Sequence, residues 1–413
     1  MDAIYRHITT TLLTCLAAAG ALAQGSWCGV HDLRLHAASA FDSTERLTQQ
    51  SLDQYHRPLH TRSTITIPVV FHVVYSNEEE NVSDLQIRSQ LAVLNRDFNG
   101  LSENRGIIPA SFRASVESAG IRFCLASTDP AGNPTTGITR TGTSVTGIGG
   151  QVVAEGRIAV HYDAFGGKNA WDPERYINVW VADLNGLLGK ATFPGMAEFP
   201  EEDGVIIDPS VVGALGTAAD NAPYDRGHTL THELGHYFGL LHLWGTTADC
   251  SDDDLVADTP QQAGPYSGCP SHPQHSCGSD DMFMNFMALT DDRCLAFFTA
   301  GQVARMQAAL MTHRPGLLTA DMACLPIASG RTPLDSIRAF YAPGDQMIIV
   351  HSNREYDQPV TIELLTASGR LILSTVWSIG STFWIDASDW PGGIYALVIR
   401  NGESRKSRLL AIY

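Results

Sequence analysis

The sequence predicts a mixed α/β domain followed by a small all-β sandwich. Three observations carry that expectation. A run dense in β-branched and aromatic residues, Thr64–Tyr75, precedes a stretch with apolar residues at helical spacing, Leu85, Ile87, Leu91, Leu94 and Phe98. Further short apolar runs follow at Ile121–Ser127, Tyr176–Val181, Leu187–Phe193 and Val205–Ile207. Strand, helix and more strands in that order read as one sheet with helices packed on it. From about Leu334 the pattern changes to short alternating runs divided by Gly and Asp turns, which reads as a separate antiparallel sandwich.

Each segment has its own reading. Arg6 and His7 stand before the apolar run Ile8–Ala23, and Ala21-Leu22-Ala23 supplies small residues for cleavage, so residues 1–23 read as a signal peptide. Residues 24–62 are polar without a strong period and read as a pro-segment, or as a flexible arm. Residues 63–326 form the main domain, with Ser83 as N-cap of its first helix. Two later helices are expected, over His228–Leu241 and Gln302–Met311. Residues 334–413 form the sandwich, with strands at Met347–His351, Val360–Leu365, Leu371–Ser374, Phe383–Ile385, Ile394–Arg400 and Arg408–Ile412. Beyond the N-terminal run nothing is long and apolar enough to span a membrane, so a secreted or cell-surface protein is expected.

The net charge of -17 argues against nucleic acid and anionic membrane as partners, since both are polyanions. It suits solubility, and clustered carboxylates suit calcium. Without the signal peptide the chain has Cys28, Cys124, Cys250, Cys269, Cys277, Cys294 and Cys324, an odd set in an oxidising setting, so at least one thiol is left over.

The segment His232-Glu233-Leu234-Gly235-His236-Tyr237-Phe238-Gly239-Leu240-Leu241-His242 carries the chemistry. Residues four apart share a helix face, so His232 and His236 can present two imidazoles to one zinc ion. Gly239 permits a sharp turn at positive φ that returns His242 as third ligand. Glu233, beside the first ligand, can hold and deprotonate a zinc-bound water. Three protein ligands with one open position make a catalytic site, whereas a structural one is closed by four. This long form is the metzincin signature. A methionine turn should lie under the metal, and Met287 in Asn285–Leu289 is placed for it, with Met282 and Met284 as neighbours.

Beyond this motif, Ile67–Tyr75, Leu94–Phe98, Phe123–Ala126, Gly137–Arg140, Ile177–Val181, Gly189–Pro194 and Asp203–Val205 resemble the pappalysin (cytophagalysin) family of metzincins. The resemblance covers roughly Ile67–Cys324. It implies an α/β metzincin catalytic domain: a mixed twisted sheet, an active-site helix, and an irregular lower subdomain. It implies a zinc endopeptidase acting on protein or peptide substrates, which would pair with the edge strand in Leu187–Pro194. It also implies disulfides Cys250–Cys277 and Cys269–Cys294, and a calcium loop with Asp254, the Val256 carbonyl and Thr259 as ligands. Trp27-Cys28-Gly29 is similar to the family's cysteine switch, which puts a pro-segment thiolate on the zinc. The other reading of Cys28 is a disulfide to Cys124 or Cys324; with the switch, those two could pair with each other. Activation would follow cleavage near Thr61–Arg62. Residues 365–370 and 390–395 resemble type IX secretion sorting domains, which implies that machinery as a partner. One departure is Leu289, where the family has a tyrosine. It leaves room for a catalytically weak zinc-binding surface or adhesion protein.

Overall fold

The computed structural model of the chain describes Cys28, residues 38–54, 64–324, 334, 337–344, 346–352, 360–377, 382–401 and 404–413. The expected signal peptide and the cleavage site near Thr61–Arg62 lie outside the described residues. The first regular element is helix α1, Ala38–Gln54. Sequence periodicity misses it for a physical reason. Its inward face is Phe41, Thr44, Thr48 and Ser51, all buried, so a true helical stripe is made mostly of hydroxyls and leaves little hydropathy signal.

Strand β1 (Ile65–Tyr75) is the spine of the main sheet. Its first half pairs in parallel with β2 (Ile121–Leu125) and its second half with β3 (Ile138–Gly142). On its other side comes β4 (Ile177–Val181), also parallel. Next are β6 (Val205–Ile207) and, antiparallel at the edge, β5 (Gly189–Ala191). Strands buried on both faces read as continuous apolar runs, which is why β1 and β4 stand out in the sequence. Alternate residues serve the two faces. Ile67, Val69, Phe71 and Val73 point to the main core, while Val70 and Val74 join smaller clusters on the reverse face.

On the main-core face lie α2 (Asp84–Asp97), N-capped by the Ser83 hydroxyl on the Gln86 amide, and α3 (His228–Tyr237). The α3 helix is shorter than the sequence suggests. It stops at Tyr237 because Gly239, at φ 90°, turns the chain away before Leu241. Below it, residues 242–299 are largely irregular, with a two-residue hairpin, β7 (His275–Ser276) and β8 (Ser279–Asp280). Disulfides Cys250–Cys277 and Cys269–Cys294 cross this region, and Cys124–Cys324 ties β2 to the segment after the last helix. That helix, α4 (Ala300–His313), opens with a capping box between Thr299 and Gln302.

The C-terminal part is a sandwich with its own core. One sheet is β9 (Ile337–Ala342), β10 (Met347–Ser352) and β13 (Thr382–Asp386). The other is β11 (Val360–Thr366), β12 (Leu371–Trp377), β14 (Gly393–Asn401) and β15 (Ser404–Ile412). Strand β9 escapes the sequence pattern because Phe340 sits on its exposed face and blurs the alternation. Among the described residues no helix is long and apolar enough to cross a membrane.

Candidate metal centre

Helix α3 and the Gly239 turn bring the three expected imidazoles to one point. The Nε2 atoms of His232 and His236 are 3.0 Å apart, and each is 3.2 Å from His242 Nε2. The tautomers are set from outside the triangle. His232 Nδ1 donates to the Phe286 carbonyl and His236 Nδ1 to the Leu240 carbonyl, each at 2.7 Å. Their Nε2 atoms therefore carry lone pairs aimed at each other, an arrangement that is repulsive unless a cation sits between them. Burial drives the His232 pKa well down and that of His236 to about 4, so both rings are neutral, as metal ligands must be. Tetrahedral zinc with bonds of about 2.05 Å would need nitrogens roughly 3.3 Å apart, so the triangle fits zinc closely. The Trp244 ring stacks on His242, centroids 4.7 Å apart and planes 12° from parallel.

Glu233 leaves α3 beside the triangle and is fully buried. Burial pushes its carboxyl pKa up to about 8, against a lowering hydrogen bond with Cys28. Cys28 is buried and belongs to none of the three disulfides, and its sulfur and the three histidine nitrogens all lie within 4.8 Å of one another. Cys28 also forms a parallel bridge with Gly189 at the start of β5. Cys28 itself thus sits at the sheet edge, next to the glycine that passes closest to Glu233. With Cys124 bonded to Cys324, neither is left to pair with Cys28.

Met287 is fully buried beneath α3, and a β-carbon on Gly235 would run into its sulfur. Met282 and Met284 are buried in the same core. The Met287 turn is held by an amide clasp that sequence reading misses: Asn285 and Gln302 exchange two hydrogen bonds of 2.8 and 3.0 Å, and Asn285 Oδ1 accepts from the Met287 amide. Leu289 is half-buried against the main core and contributes no hydroxyl. In the acidic loop, Thr259 Oγ1 lies 2.7 and 2.9 Å from the two Asp254 oxygens and 2.7 Å from the Val256 carbonyl. One hydroxyl proton cannot serve three oxygens. Burial raises the Asp254 pKa to about 7, with the Thr259 hydroxyl and Val256 amide working against it.

The Peptidase_M43 profile, described as pregnancy-associated plasma protein-A, matches residues 161–311. An extracellular metalloprotease of Arthroderma benhamiae is 30% identical over 313 residues, covering 74% of this chain and 98% of the relative. The chain belongs to the Peptidase_M43 family. This pappalysin is similar in structure to a promirolysin mutant of Tannerella forsythia, with a TM-score of 0.65 and 38% identity over 72% of this chain and 99% of that one. Mature mirolysin from the same organism aligns at a TM-score of 0.60 and 41% identity, over 64% of this chain and 99% of that one. As a pappalysin the chain is a zinc metalloprotease with a metzincin fold, and its substrates are peptides.

Proposed function

We propose that the protein is a secreted endopeptidase in which Glu233 acts as general base and then general acid, kept latent by Cys28. The observation that carries this reading is the Nε2 triangle of His232, His236 and His242 with the Glu233 carboxylate beside it. A zinc ion held by the three nitrogens supplies Lewis acidity, lowering the pKa of water and polarising the scissile carbonyl. Glu233 accepts the proton of the attacking water and hands it to the departing amine. Once Cys28 no longer bridges Gly189, the outer side of edge strand β5 is open to an extended peptide, whose scissile bond then lies over Glu233. Mature mirolysin has been captured in complex with a cleaved peptide, which supports the same use of the cleft here.

Cys28 supports latency by its position: its sulfur sits at the fourth corner of the ligand set, and its backbone bridges Gly189 of the edge strand β5. With Cys28 in place, water is excluded from Glu233, and removal of residues 24–62 opens the site. Calcium is the proposed occupant of the loop at Asp254, Val256 and Thr259, where three oxygen donors crowd within 2.9 Å of a single hydroxyl. Extracellular relatives support export by the N-terminal signal, and the sandwich at residues 334–413 is proposed to address the chain to type IX secretion.

A casein digestion assay after removal of residues 24–62 tests the central claim. Wild type digests casein and loses activity to a chelator, while Glu233→Ala retains zinc and is inactive. Equal inertness of both chains would overturn it. That outcome would favour the adhesion reading, which Leu289 supports because it brings no hydroxyl donor to the site.

A further inference from the structure

Helix α1 is anchored on the catalytic domain by contacts that include neither Cys28 nor any of the three histidines of the triangle. Phe41 is buried against Phe193, ring centroids 5.7 Å apart, in a pocket shared with Leu241. One turn on, Glu45 makes a bidentate pair with Arg305 of α4, Nη1–Oε1 at 2.7 Å and Nη2–Oε2 at 2.5 Å. The Arg305 side chain is only 2% exposed, and its Nε donates to the Gly239 carbonyl at 2.8 Å. Thr48 then lies 3.1 Å from His313 Nε2. Phe41 and Glu45 are four apart and share a helix face, so aromatic pocket and guanidinium are spaced for one helical ligand.

A buried guanidinium stripped of its carboxylate is strongly disfavoured, and a planar fork selects a carboxylate over a neutral amide. We propose that Arg305 with the Phe193–Leu241 pocket is a helix-binding site for an aromatic residue and a carboxylate four positions apart. Its occupant is residues 38–54 of this chain, held there independently of Cys28. This rests on reading residues 24–62 as a removable pro-segment. The site grips the carbonyl of the turn between ligands His236 and His242, so its occupancy is felt one bond network away from the metal. Removal of residues 24–62 leaves an anion-seeking site open next to the cleft, to which the released helix can return.

Hydrogen exchange in the full-length chain tests this without any turnover, so its outcome is separate from that of the peptidase reading. With Cys28→Ser, the amides of residues 38–54 stay protected. Adding Glu45→Gln lowers their protection at least roughly tenfold, the least expected from unpairing a buried guanidinium. Asp42→Asn, which removes the same charge from an exposed position of the same helix, leaves protection within about twofold. A second measurement uses chain freed of residues 24–62 and a labelled peptide of residues 38–54. Saturable binding is expected, weakened by Glu45→Gln and by Phe41→Ala. Loss of protection on Cys28→Ser alone would overturn the proposal, as would equal effects of Glu45→Gln and Asp42→Asn, or a peptide that does not bind.

Discussion

At Gly189 a β-carbon would come within 2.5 Å of Glu233 Cγ and 2.7 Å of its Oε1, so the edge strand passes as near to the carboxylate as a backbone can. Gly189→Ala should therefore displace Glu233 and lower kcat, with zinc content unchanged by metal analysis. Gly235→Ala addresses the other side of α3. The added methyl has nowhere to go but into Met287, an overpacking that costs about 1–3 kcal/mol. A lower Tm, with a lower zinc affinity measured by competition with a chelator, is the expected result. That the three histidines meet at one point was legible in the sequence because their spacing is local: two residues a helical turn apart and a glycine that ends the helix. The Met287 sulfur under Gly235 was legible as a motif, but the reason for it, a gap that only glycine leaves, appears in three dimensions alone.

At the scale of elements, β1 carries a titratable group into the sheet. His72 is fully buried, 2.8 Å from Thr139 Oγ1 of β3 and 3.0 Å from Asn178 Oδ1 of β4, and burial lowers its pKa to about 4. His161, packed on Trp180 behind the same sheet, is lowered to about 3 by burial. A depressed histidine means that the unfolded chain binds more protons than the folded one between pH 6.5 and about 4. Stability is thus present above pH 6.5 and lost as pH falls through that window, by about 3 kcal/mol from His72 alone. Tm should fall between pH 7 and 4.5, and His72→Gln should flatten that profile relative to wild type. The irregular region 242–299 leans instead on its disulfides, which close loops with sequence separations of 27 and 25 residues. Reduction is expected to destabilise it by about 2–4 kcal/mol per bridge, with activity lost before the sheet melts by circular dichroism. Strands β1 and β4 could be read from sequence because both their faces are apolar. Helix α1 could not, because its partners Phe193, Arg305 and His313 lie far along the chain and accept hydroxyls and a carboxylate rather than a hydrophobic stripe.

The whole molecule has two principal cores, one around the main sheet and α3, the other inside the sandwich. A small cluster of Leu215, Met347 and Ile349, edged by Leu85, Ala342 and Trp384, joins them. Each part has a buried core of its own, so each is expected to hold its own fold. Ending the chain before residue 334 is therefore expected to leave zinc content intact and casein digestion within about twofold, because none of His232, Glu233, His236, His242 and the β5 residues belongs to the sandwich. A loss of solubility or of zinc in that shortened chain would show that the sandwich supports the metal centre. The division was legible from the shift in residue pattern near Leu334. The cluster joining the two parts was not, since nothing local marks Leu215 and Ile349 as neighbours.

The ring of Trp244 against His242 gives the protein an optical gauge of its own metal. An indole lying parallel to an imidazole is sensitive to that ring's charge and position. Emission from one of the chain's 7 tryptophans should thus change as zinc is withdrawn and restored. Trp244→Phe should remove that response and keep the metal.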